Sequence, residues 1–211
     1  MQRTVIFGIL CVLIFASCQG SSTNSFSFFS SAEEIAEDNF MQQRDSIYQL
    51  ELAKAQKFLR NNPSYNQNTV FLIDMKIPSG TFRFFIHDLS KDSITHKALV
   101  AHGSGSTYSE DSLTFSNTPN SYQTSLGKYK IGGSYAGNFG KSYKLHGLDP
   151  TNNKALERYV VLHPYSCVPD EEQEYPICES LGCPMVSNEF IKVLYTIIDG
   201  SKKPILMVIY Y

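Results

Sequence analysis

The run Ser180-Leu181-Gly182-Cys183-Pro184 places a glycine directly before a thiol, with a helical segment shortly after. Glycine lets the backbone bend so that successive N–H groups converge on a developing oxyanion. A helix N-terminus close to a thiol favours its anion. The pattern suits a nucleophilic cysteine; a buried structural cysteine in a turn is the plain alternative. A nucleophilic thiol needs a base within hydrogen-bond reach. Of His87, His96, His102, His146 and His163, the last is best placed, because it closes the apolar run Arg158-Tyr-Val-Val-Leu-His163 at a strand end. The chain then has twenty residues in which to return to Cys183. His87 and His96 fall in ordinary strand and turn settings. His146, in Lys144-Leu-His-Gly147, suits hydrogen bonding to a reactive group better than catalysis.

Other chemistries fit less well. His102-Gly103-Ser104-Gly105-Ser106 has the texture of a serine-hydrolase motif but lacks the full Gly-x-Ser-x-Gly elbow and its strand-to-helix setting, so a turn near a substrate cleft is expected there. His102, His146, His163 and Cys183 contain no pair at metal-motif spacing, so neither metal nor cofactor is expected. The 211 residues carry a net charge of −2 and no basic stripe, which argues against a nucleic-acid partner.

The N-terminus reads as an export signal. Met1-Gln2-Arg3-Thr4 is a short basic region, Val5 to Phe15 is an apolar run too short to span a bilayer, and Phe15-Ala16-Ser17-Cys18 puts small residues before a cysteine. This ending resembles the lipobox of bacterial lipoproteins. The resemblance implies a signal peptide over residues 1–17, lipidation of Cys18, and a membrane anchor made stable by several acyl chains. Ordinary secretion, with Cys18 a bystander, is the alternative. Cys18-Gln19-Gly20-Ser21 lacks the Asp that resembles an inner-membrane retention signal, so an outer-membrane anchor facing the periplasm is expected where the host has two membranes. Once Cys11 leaves with the signal and Cys18 takes lipid, Cys167, Cys178 and Cys183 remain, and an odd count leaves one thiol free.

The elements that must position these groups follow. Residues 18–32 are Ser-rich and read as a flexible tether. Residues 33–62 read as an amphipathic helix, with Ser30 or Ser31 as N-cap and an apolar stripe of Met41, Tyr48, Leu52, Ala55 and Leu59. Asn61-Asn62-Pro63 ends it. From residue 68 onward the pattern changes to short β-branched and aromatic runs: Val70 to Met75, Thr81 to Asp88, Ile94 to Ala101, Lys128 to Ile131, Tyr143 to Leu145 and Tyr159 to His163. A helix over Asn188 to Ile198 and a last strand over Pro204 to Tyr211 complete a mainly β chain, with a sandwich or barrel-like core.

Four blocks, in order, carry a family resemblance. They are Ala101-His-Gly-Ser-Gly105, Phe115-Ser-Asn-Thr-Pro-Asn-Ser-Tyr-Gln-Thr-Ser-Leu-Gly127, Leu145-His-Gly-Leu-Asp-Pro-Thr-Asn-Asn-Lys-Ala-Leu-Glu-Arg-Tyr-Val-Val-Leu-His163 and Ser180-Leu-Gly-Cys-Pro184. Together they resemble the second branch of the YkuD-type murein L,D-transpeptidase catalytic domains. The resemblance implies that β-rich fold over residues 68–211, with peptidoglycan stem peptides as substrates. It implies Cys183 as nucleophile, His163 as general base and acid, and Gly182 with the Cys183 amide as the oxyanion stretch. Asn153, Arg158, Ser125 and Ser180 fall on motif positions, with His146, as candidate substrate-binding residues. The reaction implied is loss of D-Ala from a stem tetrapeptide to form an acyl-enzyme, then transfer to an amine. Water as acceptor would give an L,D-carboxypeptidase, and a non-catalytic cell-wall-binding lipoprotein is a further alternative.

The chain departs from the family at Leu181, where His or Lys is frequent, at Pro184-Met185, where Ile-Arg is frequent, and at Pro164, where Gly is frequent. With no arginine beside the thiol, Arg158 or another basic side chain is left to hold the stem carboxylate. Between His163 and Cys183, the acidic loop from Cys167 to Cys178 is bracketed by cysteines. A Cys167–Cys178 disulfide would clip this loop and shield Cys183 from mispairing; two free thiols, or exchange of Cys178 with Cys183, are the rivals. Asp170, Glu171, Glu172 and Glu174 could receive an incoming ammonium group or stand simply solvated.

Overall fold

A computed structural model describes residues 24–109 and 112–211. The signal segment, Cys11, Cys18 and the first part of the tether lie outside the described residues. Contact density divides the chain into two units, Met1–Gln42 and Gln43–Tyr211. Helix α1, Asn24–Asn61, runs through both. It starts earlier than the expected residue 33, so the second part of the expected tether is helical and Ser30 and Ser31 lie inside the helix rather than at its cap. No Gly or Pro occurs between Ser21 and Asn61, so nothing in the Ser-rich stretch stops the helix. Met41, assigned to the apolar stripe, is exposed.

Among its described residues the second unit holds ten strands: β1 Thr69–Asp74, β2 Phe84–Asp88, β3 Ser93–Ala98, β4 Thr107–Ser109, β5 Ser112–Leu113, β6 Gly127–Gly137, β7 Gly140–Gly147, β8 Val161–Pro164, β9 Met185–Val186 and β10 Leu206–Tyr210. The second helix, α2, spans Phe190–Asp199 between β9 and β10. The chain is thus mainly β with an N-terminal and a short C-terminal helix. Eight strands form one sheet in the order β3-β2-β1-β10-β6-β7-β8-β9, and β4 pairs with β5. The chain leaving β3 at one edge reaches β9 at the other, where the Ala101 N–H donates to the Met185 carbonyl at 2.8 Å. That bridge gives the sheet its barrel-like closure.

Side-chain alternation gives the sheet two apolar faces. Phe71, Ile73, Phe84, Tyr129, Ile131, Leu145, Leu162 and Met207 face α2 residues Phe190, Ile191 and Leu194 in the main core. On the other face, Val70, Leu72, Leu206 and Val208 pack against Tyr48, Leu52, Ala55 and Leu59 of α1. A small third cluster, Leu99, Ala101, Val168, Ile177 and Met185, lies under the cysteine-bracketed loop. The strands β6 and β7 extend further than the apolar runs suggest. Gly132, Gly133, Gly137 and Gly140 interrupt the sequence signal, but a bulge between Ile131 and Ser134 absorbs the first two.

One ion pair ties α1 to the sheet. Arg44 donates to Asp74 through Nε at 2.9 Å and through Nη2 at 2.6 and 2.7 Å, and both side chains are buried. The Lys76 N–H also donates to Asp74 at 2.9 Å. Asp74→Ala leaves a buried guanidinium without its partner, a loss worth about 3–5 kcal/mol. Urea unfolding followed by circular dichroism should show a drop of that size, and an unchanged midpoint would mean that Arg44 finds water instead.

Candidate active site

Cys183 is the free cysteine among the described residues, and Cys167 and Cys178 are disulfide-bonded with Cα atoms 6.1 Å apart. The sulfur of Cys183 is gripped by the backbone that enters β8. The Val161 N–H donates to Sγ at 3.4 Å, and the S–H donates to the Tyr159 carbonyl at 3.7 Å. Tyr159 makes this possible by adopting φ 56°, the left-handed conformation that ends the preceding helical turns. Its side chain is 84% exposed, so local backbone geometry, not burial, sets its conformation.

His163 lies two residues beyond Val161, so both side chains leave β8 on one face. The His163 N–H donates to the Pro184 carbonyl at 3.4 Å, which brings Cys183 alongside the strand that carries the histidine. Nδ1 of His163 is 3.0 Å from the Pro164 carbonyl oxygen. A carbonyl only accepts, so Nδ1 carries the proton and Nε2 is the basic nitrogen. Phe139, at the tip of the β6–β7 hairpin, stacks on the imidazole with centroids 4.2 Å apart and rings 25° from parallel. Its edge meets Tyr165.

The cysteine segment is held by the segment that follows β3. Ser180 N–H donates to the His102 carbonyl at 2.8 Å, and Ser104 N–H to the Ser180 carbonyl at 2.7 Å. The two backbones touch at glycines: a Cβ on Gly103 would lie 2.8 Å from the Gly182 Cα and 2.1 Å from the Tyr122 carbonyl oxygen. Gly182 itself takes φ +114°, open to glycine and strained for other residues. Behind this contact, Arg83 is fully buried and donates to the Val100 and Ile77 carbonyls and to His102 Nδ1 at 2.9 Å. His102 must therefore present Nε2–H to Thr107 Oγ1, 3.1 Å away, and Thr107 donates in turn to Glu179. Burial and the Arg83 charge push the His102 pKa down to about 4, so the ring is neutral and the relay fixed. The turn expected at His102–Ser106 is thus the support of the cysteine loop.

The other candidate residues separate in space. Arg158 donates to the Ser116 carbonyl at 2.8 Å, Ser125 Oγ at 3.1 Å, Ser121 Oγ at 3.5 Å and the Gln123 carbonyl. It staples the 116–125 segment under the cysteine loop through both Nη atoms. Ser125 is buried and bonded to Tyr129 at 2.7 Å. Ser180 is buried, its Oγ accepting the Gly182 N–H at 3.0 Å. That bond removes Gly182 from the expected pair of oxyanion donors, while the Cys183 N–H has no acceptor among the described residues. Asn153 is exposed on Asn117, and the neighbouring Asn152 is the buried one, bonded to the Asp149 N–H and the Lys128 carbonyl. His146 stands on β7 beside Lys130 and Lys144. In the acidic loop, Asp170 accepts from Ser187, and Glu172 from the Phe82 N–H at 2.6 Å, so two of its four carboxylates anchor the loop. Sequence reasoning missed Tyr159, Val161 and Phe139. The first two act through backbone atoms, and hairpin length alone carries the third to the histidine.

The thiol and imidazole start neutral. Burial raises the Cys183 pKa, against the lowering effects of the Val161 N–H and the Arg158 guanidinium. Burial likewise lowers that of His163, against its bond to the Pro164 carbonyl. The expected helix effect on the thiol does not operate, because α2 begins only at Phe190. The resting pair is therefore a neutral thiol, its S–H on the Tyr159 carbonyl, and a neutral imidazole with an unprotonated Nε2.

The free thiol of Cys183 and the imidazole of His163, with its Nδ1 proton committed to a carbonyl, thus lie along the edge of a mainly β sheet where β8 meets β9. The family model for the L,D-transpeptidase catalytic domain (YkuD_2) matches residues 41–210, and the chain belongs to that family. Among solved structures, the chain resembles an L,D-transpeptidase from Xylanimonas cellulosilytica at 15% identity and TM-score 0.40, covering 68% of this chain and 60% of that one. It also resembles Bd1075 of Bdellovibrio bacteriovorus at 16% identity and TM-score 0.41, covering 68% and 48%. The helical cell shape determining protein Pgp2 of Campylobacter jejuni matches at 10% identity and TM-score 0.43, covering 69% and 48%. The chain therefore spans about half to three fifths of the length of these relatives. No curated protein matches the sequence.

Because the Cys183 pKa lies above that of a free cysteine, its alkylation by iodoacetamide should rise with pH to a midpoint above that of a small-molecule thiol. Arg158→Gln removes a charge that favours the thiolate. Alkylation at neutral pH should slow about tenfold for each unit of added pKa. A midpoint at or below the free-thiol value would show a preformed thiolate.

Proposed function

We propose that the chain is an L,D-transpeptidase-type cysteine acyltransferase acting on peptidoglycan stem tetrapeptides. The observation that carries this reading is the tautomer of His163: Nδ1–H is committed to the Pro164 carbonyl, leaving a basic Nε2 on the strand whose Val161 N–H holds the Cys183 sulfur.

In the proposed reaction, His163 Nε2 takes the thiol proton as Sγ attacks the carbonyl between the diamino acid at stem position three and the D-Ala at position four. The oxyanion receives the Cys183 N–H. Collapse expels the D-Ala amine, which takes its proton from His163, and leaves a thioester on Cys183. The side-chain amine of a second stem attacks the thioester, its proton passes to His163, and the thiol is restored with a new cross-link. Attack by water would give an L,D-carboxypeptidase with the same residues.

A carbapenem is a strained acylating agent that reports on such a thiol. Mass spectrometry of the protein incubated with one should show a covalent adduct, absent in Cys183→Ala and formed roughly 10²–10⁴-fold more slowly in His163→Ala. Muropeptide analysis after incubation with stem peptides separates transfer from hydrolysis. A Cys183 that alkylates but neither acylates nor turns over would favour a cell-wall-binding protein. Residues 1–17 as signal peptide and Cys18 as the lipidated residue belong to the same proposal, with an anchor in the outer membrane facing the periplasm. Cys18→Ala should then release the chain from the membrane fraction, and an unchanged distribution would refute the anchor.

A further inference from the structure

One strand in from β8, Lys130 and Lys144 put positive charge on the face of the β6–β7 ladder with no acidic partner among the described residues. Lys144 and His146 are two apart on β7, so they share a face. Lys130 on β6 is the cross-strand partner of His146, and Val161 on β8 is that of Lys144. Lys144 therefore stands one strand spacing, about 4.8 Å, from the residue whose N–H holds the Cys183 sulfur. His163 lies on the same face, two residues beyond Val161.

The floor between the lysines is open. The bulge glycines Gly132 and Gly133 bear no side chains, and a Cβ on Gly132 would come within 2.5 Å of His146 Nε2, while one on Gly133 would meet nothing. On the Lys130 side, Lys130, Gly132, Gly133 and His146 line a cavity of about 360 Å³ against Lys202 and Lys203 of the turn before β10, and Lys144 stands outside it. Lys203 is tied to the Pro63 carbonyl at 2.7 Å, but Lys130, Lys144 and Lys202 have no carboxylate within ion-pair distance among the described residues. Lys144 Nζ lies 5.9 Å from the centre of the Tyr135 ring, a contact that leaves its charge uncompensated. Burial, Lys130 and Lys144 together lower the pKa of His146, so the ring is mostly neutral and the lysines supply the charge. On a chain of net charge −2, three ammonium groups without a carboxylate partner are a local concentration of charge, not a global trend.

We infer that Lys130 and Lys144 form a carboxylate-binding wall that selects stem peptides with free, unamidated carboxyl groups, laid extended along β7 toward Cys183. The inference rests on the reading of the thiol as an acyl acceptor and names the substrate class that site would take. Both Nη atoms of Arg158 are bonded to the 116–125 segment, so these lysines are the cations of this face with no protein partner for their charge. An extended peptide with carboxylates on successive residues matches a row of cations at strand spacing, and such charge-assisted bonds discriminate strongly against the neutral amide.

The test measures binding by calorimetry to full-length Cys183→Ala protein, with the stem tetrapeptide as free acid or amidated at its glutamate and diamino-acid carboxyls. The acid should bind roughly tenfold more tightly, with the preference shrinking at high salt. Adding Lys130→Gln and Lys144→Gln should erase the preference, and Lys130→Arg with Lys144→Arg should retain it, with unfolding midpoints recorded for each. Equal affinity for the two peptides, or a preference that survives the glutamine pair in a folded protein, overturns the inference. Acylation of the wild type is a separate readout. A protein that acylates without discriminating refutes only the wall, and one that discriminates without acylating refutes only the role of Cys183.

Discussion

The contact between the backbones at Gly103 and Gly182 is the constraint on which the site depends. Neither residue tolerates a side chain, and their approach lets the chain after β3 bond along the cysteine loop through Ser104, Ser180 and His102. Once that loop is fixed, Pro184 and Met185 pair with His163 and the sheet closes on itself. The sulfur then falls where Val161 can donate to it and Tyr159 can accept from it. The relay from Arg83 through His102 and Thr107 to Glu179 backs the same contact from inside the fold. A neutral, buried histidine holds it well, because no titration near neutral pH loosens it.

Electrostatics around the thiol balance two demands. A buried sulfur resists ionisation, which keeps it a thiol at rest. Arg158 and the Val161 N–H offset part of that cost and stand ready for charge at sulfur. Arg158 can do so without being lost to solvent because four oxygens of the 116–125 segment hold it. One guanidinium thus serves packing and field together. On the inference above, charge for a ligand would come from Lys130 and Lys144 of β6 and β7, which have no carboxylate partner among the described residues.

The two helices and the loop frame this core. α1 covers one face of β1 and β10 and is fastened by Arg44–Asp74, while α2 covers the other face. The disulfide-closed loop sits on its own small apolar cluster, and Asp170 and Glu172 use their charge to dock it. This leaves the β6–β7 hairpin as the element that reaches over His163 with a side chain.

Period-two apolar runs located most strands, because burial of one sheet face imposes alternation on any sequence that forms it. The positions of Cys183 after a glycine and of His163 at a strand end were equally legible, since both are local signals. Hairpin length escaped, because glycines that normally break strands are absorbed in a bulge whose existence depends on the partner strand. The helix start escaped for the opposite reason: serine favours caps but does not forbid a helix, and the sequence contains no breaker there. The roles of Arg158, Ser125, Ser180 and Asn153 could not be read from motif position, because a polar side chain serves scaffold or substrate according to which atoms the fold brings within about 3 Å. The sequence by itself determined which runs form strands and which of their faces are buried, both being properties of residue type and period. Only the tertiary structure decided the charge state of the thiol, the tautomer of His163 and the freedom of Lys130 and Lys144, because each depends on burial and on partners distant in the chain.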